Sequence, residues 1–179
     1  MRPLSFIASA LTNGPSAARR DDRGQGLVEL ALTLPVLFTV IFGVLELGAL
    51  LDITHSMSGL TREGANMASR GVTLDSVLTV TVANGRTVGL AQGTGTIVTR
   101  LQVQGGVPMV VAQRASGGYA GQSKVGLVGS SAAPYIGQGL ANDRLYYVVE
   151  IFTPYRSFTP LAGFMGGIVP DVLYDRSLF

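Results

Sequence analysis

A chain of 179 residues with 47% hydrophobic side chains, 24 glycines and a net charge of only +2 has room for one long apolar segment and one modest domain. No Lys/Arg-rich face with interleaved aromatics occurs, so no nucleic-acid partner is expected. The lack of cysteine excludes disulfides, thiolate metal sites and cysteine nucleophiles, and with a single histidine neither a metal nor a cofactor is expected.

Residues 1–22 read as a polar leader rich in Ser, Ala and Arg, with a weak apolar patch at 4–11. Arg19-Arg20 resembles the start of a twin-arginine signal, but Asp21-Asp22 follow directly and the next apolar run is too long for one. That run lies within residues 23–53, RGQGLVELALTLPVLFTVIFGVLELGALLDI, where Glu29 and Glu46 are the only charges between Leu27 and Leu51. About 20 apolar residues at roughly 1.5 Å each cross a hydrocarbon layer, so the run predicts a membrane-spanning helix. It has no clear small-residue cleavage site after it, so the helix is expected to stay in the chain, in contact with membrane lipid.

Arg19, Arg20 and Arg23 precede the span and the next arginine is Arg62, which predicts a cytoplasmic N-terminus and an outside location for everything after Ile53. The two glutamates are seventeen positions apart, about 25 Å of helix, and so can sit near opposite edges of a layer roughly 30 Å thick. Glu46 is expected to snorkel outward as an interfacial anchor. Pro35, inside the run, removes one helical hydrogen bond; it reads equally as a bend that helps subunits curve together and as an ordinary transmembrane proline.

Beyond the span, Ile53, Met57, Leu60, Gly64 and Met67 form one apolar stripe of a continuing helix, with Thr61, Arg62, Glu63, Asn66 and Arg70 facing elsewhere and Gly71 as its stop. His55, at the membrane exit, reads as an interfacial polar residue. Residues 73–90 are ambiguous: 78–82 alternate like a strand and Asn84-Gly85 signals a hairpin, whereas Thr73 is suited to cap a helix holding Leu74, Val77 and Leu78.

Residues 96–103 and 107–113 predict two strands joined at Gly105-Gly106, with Pro108 marking an edge or a strand start. Residues 145–152, LYYVVEIF, are the strongest strand by β-branched and aromatic content. Between them, 115–143 is a long loop rich in Gly, Ser and Ala, open to a functional or a merely superficial role. Residues 160–170 are apolar but short and broken by glycine, which fits a loop or short helix over the sheet or a patch for a partner. Residues 172–179 predict a last edge strand.

The expected fold class is therefore α+β: a long N-terminal transmembrane helix continuing into a small antiparallel-sheet extracytoplasmic domain. The expected segments are a cytoplasmic leader (1–24), a transmembrane helix (25–53), its continuation (54–71) and the α+β domain (72–179). No hydrolase elbow, zinc-protease helix or phosphate loop occurs, and an enzyme is not expected; the one carboxylate pair to consider is Asp143 with Glu150.

Four stretches together, RGQGLVELALTLPVLFTVIFGVLELG, TREGANMASRG, SKVGLVG and YYVVEIFTPYRSFTPLAGFMGG, resemble the TadE family of pseudopilins, minor pilin-like proteins of tight-adherence (Flp) pilus systems. The resemblance implies a pilin-like fold, favours a helix over 73–90, and implies cleavage by a prepilin peptidase between Gly24 and Gln25, where Gly24 stands five residues before Glu29. Leu30 departs from the pattern, in which an aromatic often follows the glutamate. Cleavage would leave Glu29 roughly 6 Å of helix beyond the new N-terminus. Both that amine and the carboxylate are charged at neutral pH. Buried in an apolar bundle each needs a partner, so Glu29 is expected to pair with a neighbouring copy's amine during assembly. The implied partners are the prepilin peptidase, other pilins or pseudopilins and the inner-membrane pilus assembly platform. The alternative from the residues alone is an uncleaved single-pass protein whose outer domain binds envelope partners, with Glu29 as an interface anchor.

Overall fold

The computed structural model describes residues 22–160 and 170–179. The leader through residue 21 and most of the apolar stretch at 160–170 lie outside the described residues. Contacts group the chain into two units, Met1–Phe38 and Thr39–Phe179. The order of elements is α1 (Asp22–Ser69), α2 (Leu74–Thr87), β1 (Gly95–Gln104), β2 (Val107–Ala115), β3 (Leu145–Pro154) and β4 (Val172–Leu178).

Helix α1 runs as one element through Pro35. Within it Gly24–Ser69 is long and apolar enough to cross a membrane. It ends as the sequence predicts, because Gly71 takes φ +91° and Val72 donates its N–H to Met67 O at 3.3 Å, the pattern of a glycine-terminated helix.

The ambiguity at 73–90 resolves to helix. Thr73 adopts extended backbone and its hydroxyl accepts the N–H of Ser76 at 3.3 Å; Asp75 and Arg86 sit at the ends that the helix dipole favours for their charges. Asn84-Gly85, a hairpin signal in isolation, lies inside α2, where Gly85 is buried. Tertiary packing outweighs the local turn preference there.

The four strands form one antiparallel sheet in the order β2-β1-β3-β4. Gly105 and Gly106, at φ +58° and +80°, make the two-residue turn that joins β1 to β2. Strand β3 is internal and buried on both faces, which explains why LYYVVEIF reads as an almost unbroken apolar run. Pro108 lies on edge strand β2, as expected.

The two faces of the sheet carry separate cores. On one, Val98, Val149 and Ile151 pack with Met57, Leu60, Ala65 and Ala68 of α1 and Val77 of α2. On the other, Leu101, Val110 and Val148 pack with Val125, Ala132 and Tyr135 from the long loop. The expected stripe of α1 therefore faces the sheet, with one correction. Thr61, expected to face elsewhere, is fully buried; its hydroxyl donates to Asp175 Oδ2 at 2.6 Å and lies 3.1 Å from Ser177 Oγ, tying α1 to β4.

The loop between β2 and β3 is a second layer rather than a surface excursion. Ala132 donates to Pro108 O at 2.7 Å and Val110 to Ser130 O at 2.9 Å, which covers the outer edge of β2. Its fastening point is Glu150, fully buried on β3, which accepts Ser123 Oγ–H at 2.5 Å, the Lys124 N–H at 2.9 Å and the Tyr174 hydroxyl at 2.9 Å. Lys124 Nζ lies 4.1 Å from the centre of the Tyr174 ring. Asp143 stands instead in an exposed turn at φ +60°, bonded through its backbone to Val103 O.

Candidate functional site

The expected processing segment lies in the first turns of α1. Gly24, Gln25 and Glu29 are all helical and exposed. A Cβ built at Gly24 meets nothing within 4 Å, and the same holds at Gly26. Nothing among the described residues packs so closely as to require glycine there. Glycine costs a helix interior roughly 1 kcal/mol relative to alanine, so Gly24 and Gly26 weaken these first turns.

The Thr33 hydroxyl bonds Glu29 O at 2.9 Å, which fixes a backbone carbonyl and leaves the Glu29 side chain free. Among the described residues the Glu29 carboxylate has no hydrogen bond and no ion pair. Around it Leu27, Val28, Leu30 and Leu32 are exposed, as are Val36, Leu37 and Phe38 further along. A helix that is apolar on every side needs a non-aqueous surrounding, lipid or other helices. One carboxylate in such a surface is costly unless a cation meets it.

Glu46 is placed quite differently from its expected role. Instead of reaching outward it is 2% exposed, and its Oε1 accepts the Tyr155 hydroxyl at 2.5 Å. Residues 155–159, directly after β3, fold over the helix at this point as a strap, with the hydroxyls of Ser157 and Thr159 near the same carboxylate. Oε2 makes no hydrogen bond of normal geometry among the described residues. The Tyr155 hydroxyl is pushed up to about 12, first by burial and then by the Glu46 carboxylate, so it stays a proton donor at neutral pH.

Sequence reasoning missed this contact because the partners are 109 residues apart. A signal was nonetheless present: Tyr155, Ser157 and Thr159 alternate hydroxyls at a period of two directly after the strongest strand. Gly24 and Glu29 stand in the unit that ends at Phe38, Glu46 and Tyr155 in the other.

Residues 24–66 match the family model for TadE-like protein. The match begins at Gly24 and takes in Glu29, Glu46 and the first part of the stripe that meets the sheet. No curated protein and no solved structure matches the chain.

Proposed function

From the TadE-like match over residues 24–66, we propose that this chain is a minor pilin-like subunit for assembly of a tight-adherence (Flp) pilus. In this reading α1 holds the chain in the bacterial inner membrane, with the leader in the cytoplasm and the sheet domain outside. A prepilin peptidase cuts between Gly24 and Gln25, and the helix then passes from the membrane into a bundle with other pilins or pseudopilins at the assembly platform. The role is assembly, with no catalytic step of its own.

The observation that carries the proposal is the combination at the start of α1. The TadE-like match opens at Gly24, and five residues later an exposed Glu29, unpaired among the described residues, stands within an all-round apolar surface. Lipid satisfies the apolar side chains but not the carboxylate. A helix bundle that supplies a neighbour's α-amine satisfies both, and the pairing fixes the axial offset between subunits.

The test is piliation of cells that carry Glu29→Ala in place of the native chain. The variant should reach the membrane and be cleaved, yet leave few or no pili by electron microscopy. Normal piliation would remove the pairing role.

A further inference from the structure

The contact between Glu46 and Tyr155 places one more surface. Glu46 is the first charge in α1 after Glu29, so it marks the far end of the uncharged run. Seventeen residues of helix rise about 25 Å, close to the thickness of a hydrocarbon layer, which puts Glu46 at the outer boundary when α1 spans a membrane. The strap is bonded to that residue and therefore lies at the same depth.

The strap's two sides differ. Tyr155 and Thr159 are buried toward the helix, whereas Arg156 and Phe158 point away, Phe158 with 63% of its surface exposed. On α1 beside it, Leu47 and Leu51 are exposed as well, so the apolar belt continues past Glu46. An outward aromatic next to an outward cation at the end of a span has the chemistry of the headgroup region, where rings meet the tops of the acyl chains and arginine reaches phosphate.

We propose that residues 155–159 form a membrane-resting strap: Glu46 holds it against α1, Phe158 enters the outer acyl boundary, and Arg156 meets lipid phosphate. The occupant of this surface is the bilayer. The strap thereby seats the sheet domain on the membrane and shields the Glu46 carboxylate from hydrocarbon. The inference rests on α1 spanning a membrane and not on cleavage or pilus assembly, so it survives failure of the pilin reading.

The chain has no tryptophan and no cysteine, so one introduced probe reports alone. The full chain carrying Phe158→Trp is reconstituted in vesicles of phosphatidylethanolamine and phosphatidylglycerol, with and without lipids brominated near the top of the acyl chain. The expected result is emission shifted to the blue of free tryptophan, strong quenching by the brominated lipid, and several-fold weaker quenching by aqueous acrylamide. Adding Glu46→Ala should reverse the pattern, with several-fold less lipid quenching. Phe158→Cys bearing a polarity-sensitive label repeats the reading with a different side chain. Water-like emission with full acrylamide access would overturn the proposal. So would blue-shifted emission indifferent to brominated lipid, which would mean that protein covers the strap.

Discussion

Tyr155 donates a 2.5 Å hydrogen bond to Glu46, joining the end of the strongest strand to the middle of the long apolar helix. The bond satisfies one oxygen of a carboxylate that the strap removes from solvent. Tyr155→Phe leaves that buried oxygen without its donor, at a cost of about 1–3 kcal/mol. Chemical unfolding of the full chain in detergent, followed by circular dichroism, should show the loss. An unchanged midpoint would mean that the contact contributes nothing to the domain.

The same bond gives the fold an alkaline limit. The ordinary tyrosine value is 10.0 and that of Tyr155 is raised to about 12, so the folded state holds this proton more tightly than the unfolded chain does. The stabilisation is therefore complete below the ordinary value and is lost as pH rises through the raised one. Tyr174 is raised too, by burial first and by Glu150 second, and adds in the same direction. Unfolding midpoints should fall across that window, and Tyr155→Phe should flatten the fall. An equally steep fall in the variant would assign the limit to other groups.

Glu150 organises the loop layer. Glu150→Ala removes the acceptor for Ser123, the Lys124 N–H and Tyr174 together. Leaving buried donors unsatisfied costs about 1–3 kcal/mol each, less whatever water regains. Hydrogen exchange should accelerate most around residues 123–126 while the β1–β3 pairing stays protected. Unchanged exchange there would show that the apolar contacts of Val125 and Tyr135 hold the loop alone.

At Gly64, α1 packs tightly against both α2 and the sheet. A Cβ there falls 2.8 Å from Thr81 Oγ1 and 3.3 Å from Val149 Cγ2, so α1, α2 and β3 meet over a bare backbone. Gly64→Val should destabilise the domain by about 1–3 kcal/mol through overpacking. Gly59→Val, at a site with nothing within 4 Å of the added Cβ, serves as the control for helix propensity. Equal effects of the two would argue against close packing at Gly64.

How much of this was legible depended on how local the causes were. The helix stop at Gly71, the Gly105-Gly106 turn and the run of β3 follow from a few adjacent residues, and each stands as its pattern suggests. Glu46 and Thr61 did not yield to the same reasoning, because what buries them arrives from Tyr155 and from Asp175 and Ser177 near the other end of the chain. A carboxylate closing an apolar run looks the same whether it reaches for water or for a distant tyrosine. At 115–143 the glycine-rich composition left a functional loop and a surface excursion equally open. Two of the glycines permit a tight path: at Gly117 a Cβ would fall 2.8 Å from Thr94 O, and at Gly126, with φ +139°, 2.7 Å from Ser130 Oγ and 3.0 Å from Ser131 O.

The candidate processing site was legible as a pattern, since Gly24, Gln25 and Glu29 are adjacent in sequence and need no tertiary partner to be noticed. What the structure adds is that, among the described residues, nothing crowds the glycine and the carboxylate is unpaired. Both features direct attention to partners outside the chain.

The most direct measurement is the intact mass and N-terminal sequence of the protein taken from its native membrane, with and without the prepilin peptidase. The pilin-like account predicts a chain that begins at Gln25 only when the peptidase is present, and Gly24→Leu should abolish that product. A chain that keeps its leader in both membranes would contradict the account and leave an uncleaved single-pass protein.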